Sequence, residues 1–294
     1  MESARCKAFI ESVERGSFRA ASEALGYTPS AVSQLVAALE KDLGLTLLIR
    51  SKKGVKVTSE GARLAPIVRS YLAREKEMYE LASEMQGVSI GNLTIAAYPS
   101  VATTWLPEIV RTFQRDYPDV QFSIMEGIRS EIFGHLDDHV ADMGFLAYAE
   151  PMDYEWTPLA EEAVIAVVPE NHRLANAKAY PIAECENDNF IMTSWGKDLE
   201  IQNIFRKNNV SPNVRYTTYD TPATLAMVRM GLGVSFVNEL SAQYWNDHLV
   251  KLPLDPPQSV EFGIVYTSKE HMTSAAKKFY DYAVKFLNVP ATYA

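Results

Sequence analysis

Apolar residues recur at helical spacing in three short runs through the first forty residues of the chain. The first run predicts a helix over residues 3–15. Ser17 is placed to cap a second helix, and Thr28 to cap a third with Pro29 at its first position, where a missing N–H costs nothing. Gly26 separates the second helix from the third. We predict that the inner face of the third helix is formed by Ala31, Leu35, Ala38 and Leu39.

A basic hairpin is predicted directly after these helices. The stretch LLIRSKKGVKVT has two short β patterns around a Lys52-Lys53-Gly54 turn. Residues 43–57 contain four basic residues and no acidic one. Two crossing helices followed by such a hairpin indicate a winged helix-turn-helix, with one helix in a DNA major groove and the hairpin beside the phosphates. The alternative is an ordinary pair of antiparallel helices in a helical domain.

The stretch from Gly16 to Gly61 resembles the winged helix-turn-helix of LysR-type transcriptional regulators. The matching pieces are Gly16-Ser17-Phe18, Ala20-Ala21, Ser30-Ala31-Val32-Ser33, Leu39-Glu40, Leu43-Gly44, Leu47, Arg50, Val55 and Thr58. Pro29, Leu35 and Ala37 depart from residues that are frequent in that family. These departures leave the fold inference intact but not the inference of which bases are read. From the residues we predict base contacts from Ser30, Ser33 and Gln34 and phosphate contacts from Arg50, Lys52 and Lys53. The full expected set of DNA-binding residues is Ser17, Arg19, Thr28, Ser30, Ser33, Gln34, Arg50, Lys52 and Lys53.

A long helical pattern from Thr58 to about Gln86 carries an apolar stripe. Its members at seven-residue intervals are Leu64, Tyr71, Met78 and Met85. Such a stripe on a polar helix predicts a coiled-coil seam, although a helix packed on its own domain is the alternative. The family resemblance implies that this helix pairs two subunits, so we expect a homodimer, or a homotetramer completed by the C-terminal domains.

Beyond Gly87 the pattern changes to strands alternating with helices, which favours βαβ units and a largely parallel sheet. One helix is predicted between residues 100 and 116 and another from about 130 to 139, and the last strand is predicted at 261–267. Together with residues 142–146 and 224–239, this pattern resembles the two-lobed, type 2 periplasmic-binding-protein fold of the LysR effector domain. The expected fold class is therefore multidomain, an all-α winged helix-turn-helix and linker helix followed by an α/β domain. The expected boundaries are 1–58, 59–87 and 88–294, with one lobe at about 88–161 and 266–294 and the other at about 162–265.

Charge is distributed unevenly along the chain, and this supports the division. The net charge is −9 overall, yet residues 1–57 hold nine Lys and Arg against six Asp and Glu. Residues 88–294 hold 15 against 26. The basic end can approach phosphate, and the acidic remainder disfavours nonspecific wrapping of nucleic acid. No stretch approaches the roughly 18 apolar residues of a membrane span, and the N-terminal stretch lacks the apolar region of a signal peptide, so we expect a cytoplasmic protein without a membrane partner.

Residue sets for catalysis or metal binding are not apparent in the sequence. His135 and His139 are predicted to share a helix face, but the pattern lacks the glutamate of a zinc protease. Cys6 and Cys185 are far apart and are expected to be free thiols. We therefore expect no catalytic residues, no metal site, no cofactor and no enzymatic activity.

Loops after the predicted strands point to a ligand site between the lobes. In open α/β sheets, ligands bind beyond the carboxyl ends of strands, where helix N-termini offer free N–H groups. We expect a small polar or anionic ligand, with a neutral or zwitterionic one as the alternative. The expected ligand-binding residues are Ser100, Thr103, Thr104, Gly127, Thr193, Ser194, Trp195 and Tyr219.

The function that these patterns indicate is a sequence-specific DNA-binding transcriptional regulator controlled by a small-molecule effector. Its expected partners are double-stranded operator DNA, the effector and a second copy of the chain, with RNA polymerase as a further candidate. A two-lobed solute-binding protein and an α/β enzyme with an unrecognised site are the alternatives. The first conflicts with the N-terminal module, and the second needs a catalytic set that the sequence does not present.

Overall fold

The computed structural model describes residues 3–51, 54–85, 91–245 and 247–287. Its N-terminal domain begins with three helices, α1 (Ser3–Arg15), α2 (Phe18–Leu25) and α3 (Pro29–Leu43). The predicted caps are in place, since the Ser17 hydroxyl accepts a hydrogen bond from the Ala20 N–H and the Thr28 hydroxyl from the Ala31 N–H, both at 3.2 Å. The sequence prediction of these three helices is confirmed.

The buried face of α3 differs from the predicted one by a small rotation. Val32, Val36 and Leu39 are fully buried in the N-terminal core, whereas Ala31 and Ala38 are only half-buried. The prediction is confirmed for Leu39, and Leu35 packs against the same core, but it was wrong for Ala31 and Ala38, because the larger Val32 and Val36 occupy the buried face instead. The rotation leaves Ser30, Gln34 and Ala37 exposed, as expected.

A two-stranded antiparallel hairpin follows, β1 (Leu48–Ser51) and β2 (Gly54–Val57). It is fixed to the helices through Val55, whose N–H donates to the Gly16 carbonyl at 2.8 Å. Gly54 has a φ of +123°, and a Cβ there would lie 2.4 Å from the Gly16 oxygen. Only glycine fits this approach, so the hairpin is held against the turn between α1 and α2.

The long helix α4 (Ser59–Met85) belongs partly to the N-terminal core and partly to the surface. Val68 is buried in that core. Four members of the predicted stripe or its flanks, Ile67, Met78, Leu81 and Met85, are 65%, 59%, 49% and 79% exposed in the single chain. The α4 helix therefore presents an apolar strip that the described residues of the single chain leave largely exposed.

The C-terminal domain contains two lobes built from alternating strands and helices. In chain order its elements are β3 (Gly91–Ala97), α5 (Pro99–Thr103), α6 (Trp105–Asp116), β4 (Val120–Glu126), α7 (Arg129–Asp137), β5 (Met143–Ala147), β6 (Glu155–Pro169), β7 (Tyr180–Pro181), β8 (Phe190–Met192), α8 (Leu199–Lys207), β9 (Val214–Thr217), α9 (Thr221–Arg229), β10 (Ser235–Asn238), α10 (Glu239–Ala242), β11 (Leu249–Tyr266) and α11 (Ser274–Leu287). The single helix predicted over residues 100–116 is two, α5 and α6, because Thr104 leaves helical geometry with φ −117° and ψ −73°.

The two lobes are joined by the long antiparallel strands β6 and β11. They form a mixed sheet with the order β10-β6-β11-β5-β3-β4, in which β3 pairs in parallel with β4 and β5. The prediction of a largely parallel sheet was therefore wrong for the crossing strands. Phe262 and Ile264 of β11, which belong to the last predicted strand, pack in the first lobe's core. The α11 helix returns to the first lobe through Phe279, as expected.

Both cysteines are fully buried, in different cores. Cys6 lies in the N-terminal core and Cys185 in the core of the second lobe. Burial raises the pKa of the Cys6 thiol, and burial together with the neighbouring carboxylate of Glu186 raises the pKa of Cys185 to about 12. Both thiols are therefore protonated and unreactive in the folded chain. Within the described ranges, no helix is long and apolar enough to cross a membrane.

Candidate functional site

The exposed face of α3 is flanked by the hairpin. Ser30 and Gln34 are exposed on α3, and Arg19, with an 86% exposed side chain, projects from α2 beside Glu23. Ser17 and Thr28 use their hydroxyl oxygens to cap helices, so both position the motif. Lys52 and Lys53 lie outside the described residues.

Arg50 connects the hairpin to α3. Its guanidinium donates to the Ser33 hydroxyl at 2.9 Å, lies 3.5 Å from a Glu40 carboxylate oxygen and stacks 5.3 Å from the centre of the Phe18 ring. The other oxygen of Glu40 accepts the N–H groups of Leu47 and Leu48. Arg50 therefore fixes the hairpin relative to α3, and Ser33 already holds a partner in the free chain.

A cavity of about 80 Å³ lies between the lobes of the C-terminal domain. The first residue or N-cap of several helices lines it, which places their N-termini at one cleft. These positions are Tyr98, Ile128, Asp198, Asp220 and Asn238. The convergence follows from the topology, because each of these helices follows a strand whose carboxyl end is at the cleft.

Five of the residues predicted from the sequence line this cavity: Ser100, Gly127, Thr193, Ser194 and Tyr219. Thr103 and Thr104 do not, because their hydroxyls donate to the helix carbonyls of Pro99 and Ser100 at 2.8 and 2.5 Å. A threonine in a helix readily bonds back to the preceding turn, and the hydroxyls of Thr103 and Thr104 are used in that way.

Trp195 is also absent from the lining, although it lies close to the cleft. Its side chain is 59% exposed and its ring is 6.3 Å from the ring of Tyr219. The backbone at Trp195 is left-handed, with φ 53°.

Sequence reasoning missed a buried polar group that crosses the cleft. Glu200 is 7% exposed and accepts a hydrogen bond from the Tyr98 hydroxyl of the other lobe at 2.9 Å. The guanidinium of Arg129 lies 3.7 Å from the same carboxylate oxygen. Burial, with a contribution from the charge of Asp198, raises the pKa of Glu200 well above its usual value. One sequence signal was available, because Glu200 lies beside Ile201 on the inner face of α8.

Arg129 is held by the first lobe. Its guanidinium donates to the carbonyl oxygens of Ala147 and Ala149, and it stacks 4.8 Å from the centre of the Phe133 ring. Its side chain is 11% exposed, so the charge of Arg129 is largely buried.

A second contact across the cleft involves α7. The Tyr219 hydroxyl of the second lobe donates to the Glu131 carboxylate of α7 at 2.6 Å. At the opposite end of α7, Asp138 accepts a hydrogen bond from Arg69 of α4 at 2.8 Å, and Arg69 also lies 3.3 Å from Glu14 of α1. The α7 helix therefore extends from the cleft to the N-terminal domain.

The two histidines predicted to share a helix face are separated by the end of α7. The α7 helix ends at Asp137, so His139, with φ 52°, lies beyond the helix and does not share a face with His135 as predicted. Within the part of the chain that the structure describes, no group of three or more His, Cys, Asp or Glu side chains could hold a metal ion.

Comparison with protein families covers nearly the whole chain. The model for the bacterial regulatory helix-turn-helix protein, lysR family, matches residues 4–62. The model for the LysR substrate binding domain matches residues 86–288. Among similar proteins, the transcriptional dual regulator GltC of Bacillus subtilis is 25% identical over 98% of this chain and 98% of its own length. The HTH-type transcriptional regulator YvbU of the same organism is 26% identical over 94% of this chain and 96% of its own length.

Solved structures share the fold. Full-length OxyR from Pseudomonas aeruginosa superposes with a TM-score of 0.75 at 19% identity, over 96% of this chain and 94% of that one. CbnR complexed with its target DNA gives 0.69 at 20% identity, over 97% and 99%. The effector binding domain of QuiR in complex with shikimate gives 0.63 at 22% identity, over 68% of this chain and 98% of that one.

Proposed function

The chain belongs to the LysR family of DNA-binding transcriptional regulators with an effector-binding domain. From this membership we propose which of its residues contact DNA and where the effector binds. The exposed face of α3 reads base edges through Ser30 and Gln34. The hairpin contacts phosphates, and the cleft between the lobes binds a small-molecule effector.

The observation that carries the DNA-binding part is the attachment of the hairpin to α3 by Arg50. A fixed wing sets the distance between the major groove and the flanking phosphates before DNA arrives, so less ordering is needed on binding. Lys56 of β2 is exposed on this hairpin. Lys52 and Lys53 remain phosphate contacts predicted from the sequence, and Ser33 is available to bases only if Arg50 releases it.

Assembly, location and reaction class follow from the same proposal. The apolar strip on α4 pairs two subunits, and the C-terminal domains complete a tetramer. A protein that binds operator DNA and meets RNA polymerase there acts in the cytoplasm. We propose no enzymatic activity, because the cleft combines helix caps with a partnered carboxyl group and lacks a paired nucleophile and base among its described lining residues.

DNA binding is tested with two exposed residues that differ in role. Lys56→Ala should weaken binding similarly for every duplex and reduce the salt dependence by about one phosphate contact. Gln34→Ala should instead reduce the preference for the selected sequence, at a cost of about 1–3 kcal/mol. The measurement is fluorescence anisotropy at several salt concentrations. The probes are a duplex enriched from a random pool by the full chain and a scrambled duplex of the same composition.

The control for both variants is Glu108→Gln, an exposed change on α6 of the other domain, which should leave both affinities unchanged. Equal affinity of the unaltered chain for the enriched and scrambled duplexes would contradict sequence-specific binding. A loss of preference in Lys56→Ala with none in Gln34→Ala would reverse the assigned roles.

A further inference from the structure

Three nine-residue helices begin at the cleft, and in each of them a carboxylate accepts a hydrogen bond from a backbone N–H at the N-terminus. Asp198 accepts the Ile201 N–H of α8 at 3.1 Å, and Asp220 accepts the Ala223 N–H of α9 at 2.9 Å. Glu131 accepts the Ile128 N–H at the start of α7 at 2.9 Å. One N–H group at each of these helix N-termini is therefore already bonded to an acid of the same chain, and an anionic ligand approaching that N-terminus would meet the charge of the acid.

The charge balance at these helix ends favours a cation. A helix N-terminus contributes about half a positive charge, whereas each capping carboxylate contributes a full negative one. Among the described residues that line the cavity, none is lysine or arginine. The guanidinium of Arg129 donates to the carbonyl oxygens of Ala147 and Ala149 and lies 3.7 Å from a Glu200 carboxylate oxygen, so among the acids at the cleft it offsets the charge of Glu200 only.

Buried acceptors are also present at the centre of the cleft. The carboxyl group of Glu200 has one oxygen bonded to the Tyr98 hydroxyl, and Asp198 accepts the Thr193 hydroxyl at 2.7 Å. Carboxylate and hydroxyl oxygens together suit the three diverging N–H donors of an ammonium group. An ammonium ion beside Glu200 would also offset the free-energy cost of ionising that buried carboxyl group, because an opposite charge favours the charged form.

The cleft continues into a wider cavity of about 430 Å³, which shares Tyr98, Ile128, Ser194 and Asp198 with the inner one. Lys197 and Arg129 line this outer part. A ligand that places an amine in the inner cavity can therefore extend an apolar or negatively charged remainder outward.

We propose, building on the effector role of the cleft, that the effector is a small molecule with a protonated amine that docks against Asp198, Asp220 and Glu200. This assignment replaces the anion expected from helix N-termini alone. A carboxylate of equal length cannot replace the amine, because it would face the capping carboxylates of Asp198 and Asp220.

The test uses matched straight-chain compounds of two to eight carbons that differ only in their end groups: diamines, amino acids, dicarboxylates and diols. Isothermal titration calorimetry with the full chain should show binding of an amine-bearing member. The dicarboxylate of the same length should bind at least about tenfold more weakly, since one charge contact is worth more than 1.4 kcal/mol at short range. Tighter binding of the dicarboxylate, or no binding by any amine-bearing member, would overturn the proposal.

Asparagine variants isolate the charge, because asparagine caps a helix as well as aspartate does. Asp198→Asn and Asp220→Asn should each lower the affinity for the amine by about tenfold. Asp281→Asn removes the same charge from the exposed face of α11 and should change nothing. Unchanged affinity in both cleft variants would contradict the proposed contacts.

A further variant separates this proposal from the effector role itself. Thr221→Trp places a bulky ring in the lining of the inner cavity. If a dicarboxylate binds the unaltered chain and Thr221→Trp abolishes that binding, the cleft is the effector site and only the amine assignment fails. If Thr221→Trp leaves every titration unchanged, the cleft assignment fails.

Discussion

Glu200 shows how the environment of one side chain changes its chemistry. Its carboxyl group is enclosed between two lobes, and removal from water disfavours the ionised form. Arg129 at 3.7 Å offsets part of this cost, but its guanidinium is shared with backbone carbonyls. The result is a raised pKa, with burial as the main cause and the charge of Asp198 as the second.

This raised pKa predicts a pH dependence of stability. The contribution of the neutral carboxyl group is fully present below the ordinary glutamate value of 4.5 and is lost as pH rises through the folded-state pKa. Glu200→Gln cannot ionise and keeps an oxygen for Tyr98, so its melting temperature relative to the unaltered chain should rise with pH above about 4.5.

Thermal denaturation between about pH 4 and pH 8 measures this difference. Glu108→Gln on the exposed face of α6 is the control and should follow the unaltered chain at every pH. Melting curves of Glu200→Gln that run parallel to those of the unaltered chain across the range would show that Glu200 ionises normally.

At the scale of elements, α7 has contacts at both ends that belong to different parts of the molecule. Its first turn bonds to Tyr219 across the cleft through Glu131, and its end meets Arg69 through Asp138. A helix transmits a displacement along its length better than a loop does, because its backbone hydrogen bonds resist bending. Movement of the lobes on effector binding would therefore reach α4 and α1.

A double-mutant cycle tests the contact at the far end of α7. Arg69→Ala and Asp138→Ala should each lower the free energy of unfolding, and together they should cost less than the sum by about 1 kcal/mol. The same cycle on Arg74 and Glu77, an i,i+3 pair within α4 at 2.7 Å, is the control. We expect a coupling of only a few tenths of a kcal/mol there.

Urea denaturation supplies both sets of energies. Strict additivity of Arg69→Ala and Asp138→Ala would show that their hydrogen bond contributes nothing in solution and would remove α7 as a route between the domains. The coupling free energy of the control pair gives the value for an exposed ion pair, with which the coupling of Arg69 and Asp138 is compared.

Local signals in the sequence predicted elements well and long-range pairings poorly. Ser17, Gly26 and Thr28 act on neighbouring residues, so the helices that they bound were predictable. The pairing of Tyr98 with Glu200 joins residues 102 positions apart, and nothing local identifies it. For the same reason the sequence indicated the loops at the cleft but did not indicate Glu200, the buried acid at its centre.

The length of β11 was also beyond local reasoning. Prolines at 253, 256 and 257 normally exclude a central strand, so only residues 261–267 were predicted as one. The structure tolerates them because the ladder with β6 is irregular between Pro253 and Gln258. The β11 strand pairs with β6 on both sides of this irregularity, so it extends over 18 residues.

For the whole molecule, the apolar strip on α4 predicts the assembly state. Ile67, Met78, Leu81 and Met85 are exposed at the spacing of a coiled-coil seam. Met78→Asp would bury an unpaired charge in that seam, so sedimentation should show smaller assemblies than for the unaltered chain, with weaker binding to the enriched duplex.

Ala62→Asp is the matched control, because Ala62 is exposed in the first turn of α4 on another face, where an acid suits the helix dipole. It should sediment like the unaltered chain. An unchanged assembly in Met78→Asp would show that the strip is not the contact between subunits.

Because Cys6 and Cys185 are buried, the rate at which each thiol reacts reports how often the core around it opens. The chain has two cysteines, one in the N-terminal core and one in the second lobe, and both are fully covered. A thiol reagent can label each cysteine only after the surrounding core opens, so labelling rates report local opening frequencies. Mass spectrometry of the labelled peptides would then give the opening rates of the two cores separately in a single sample, without any engineered cysteine.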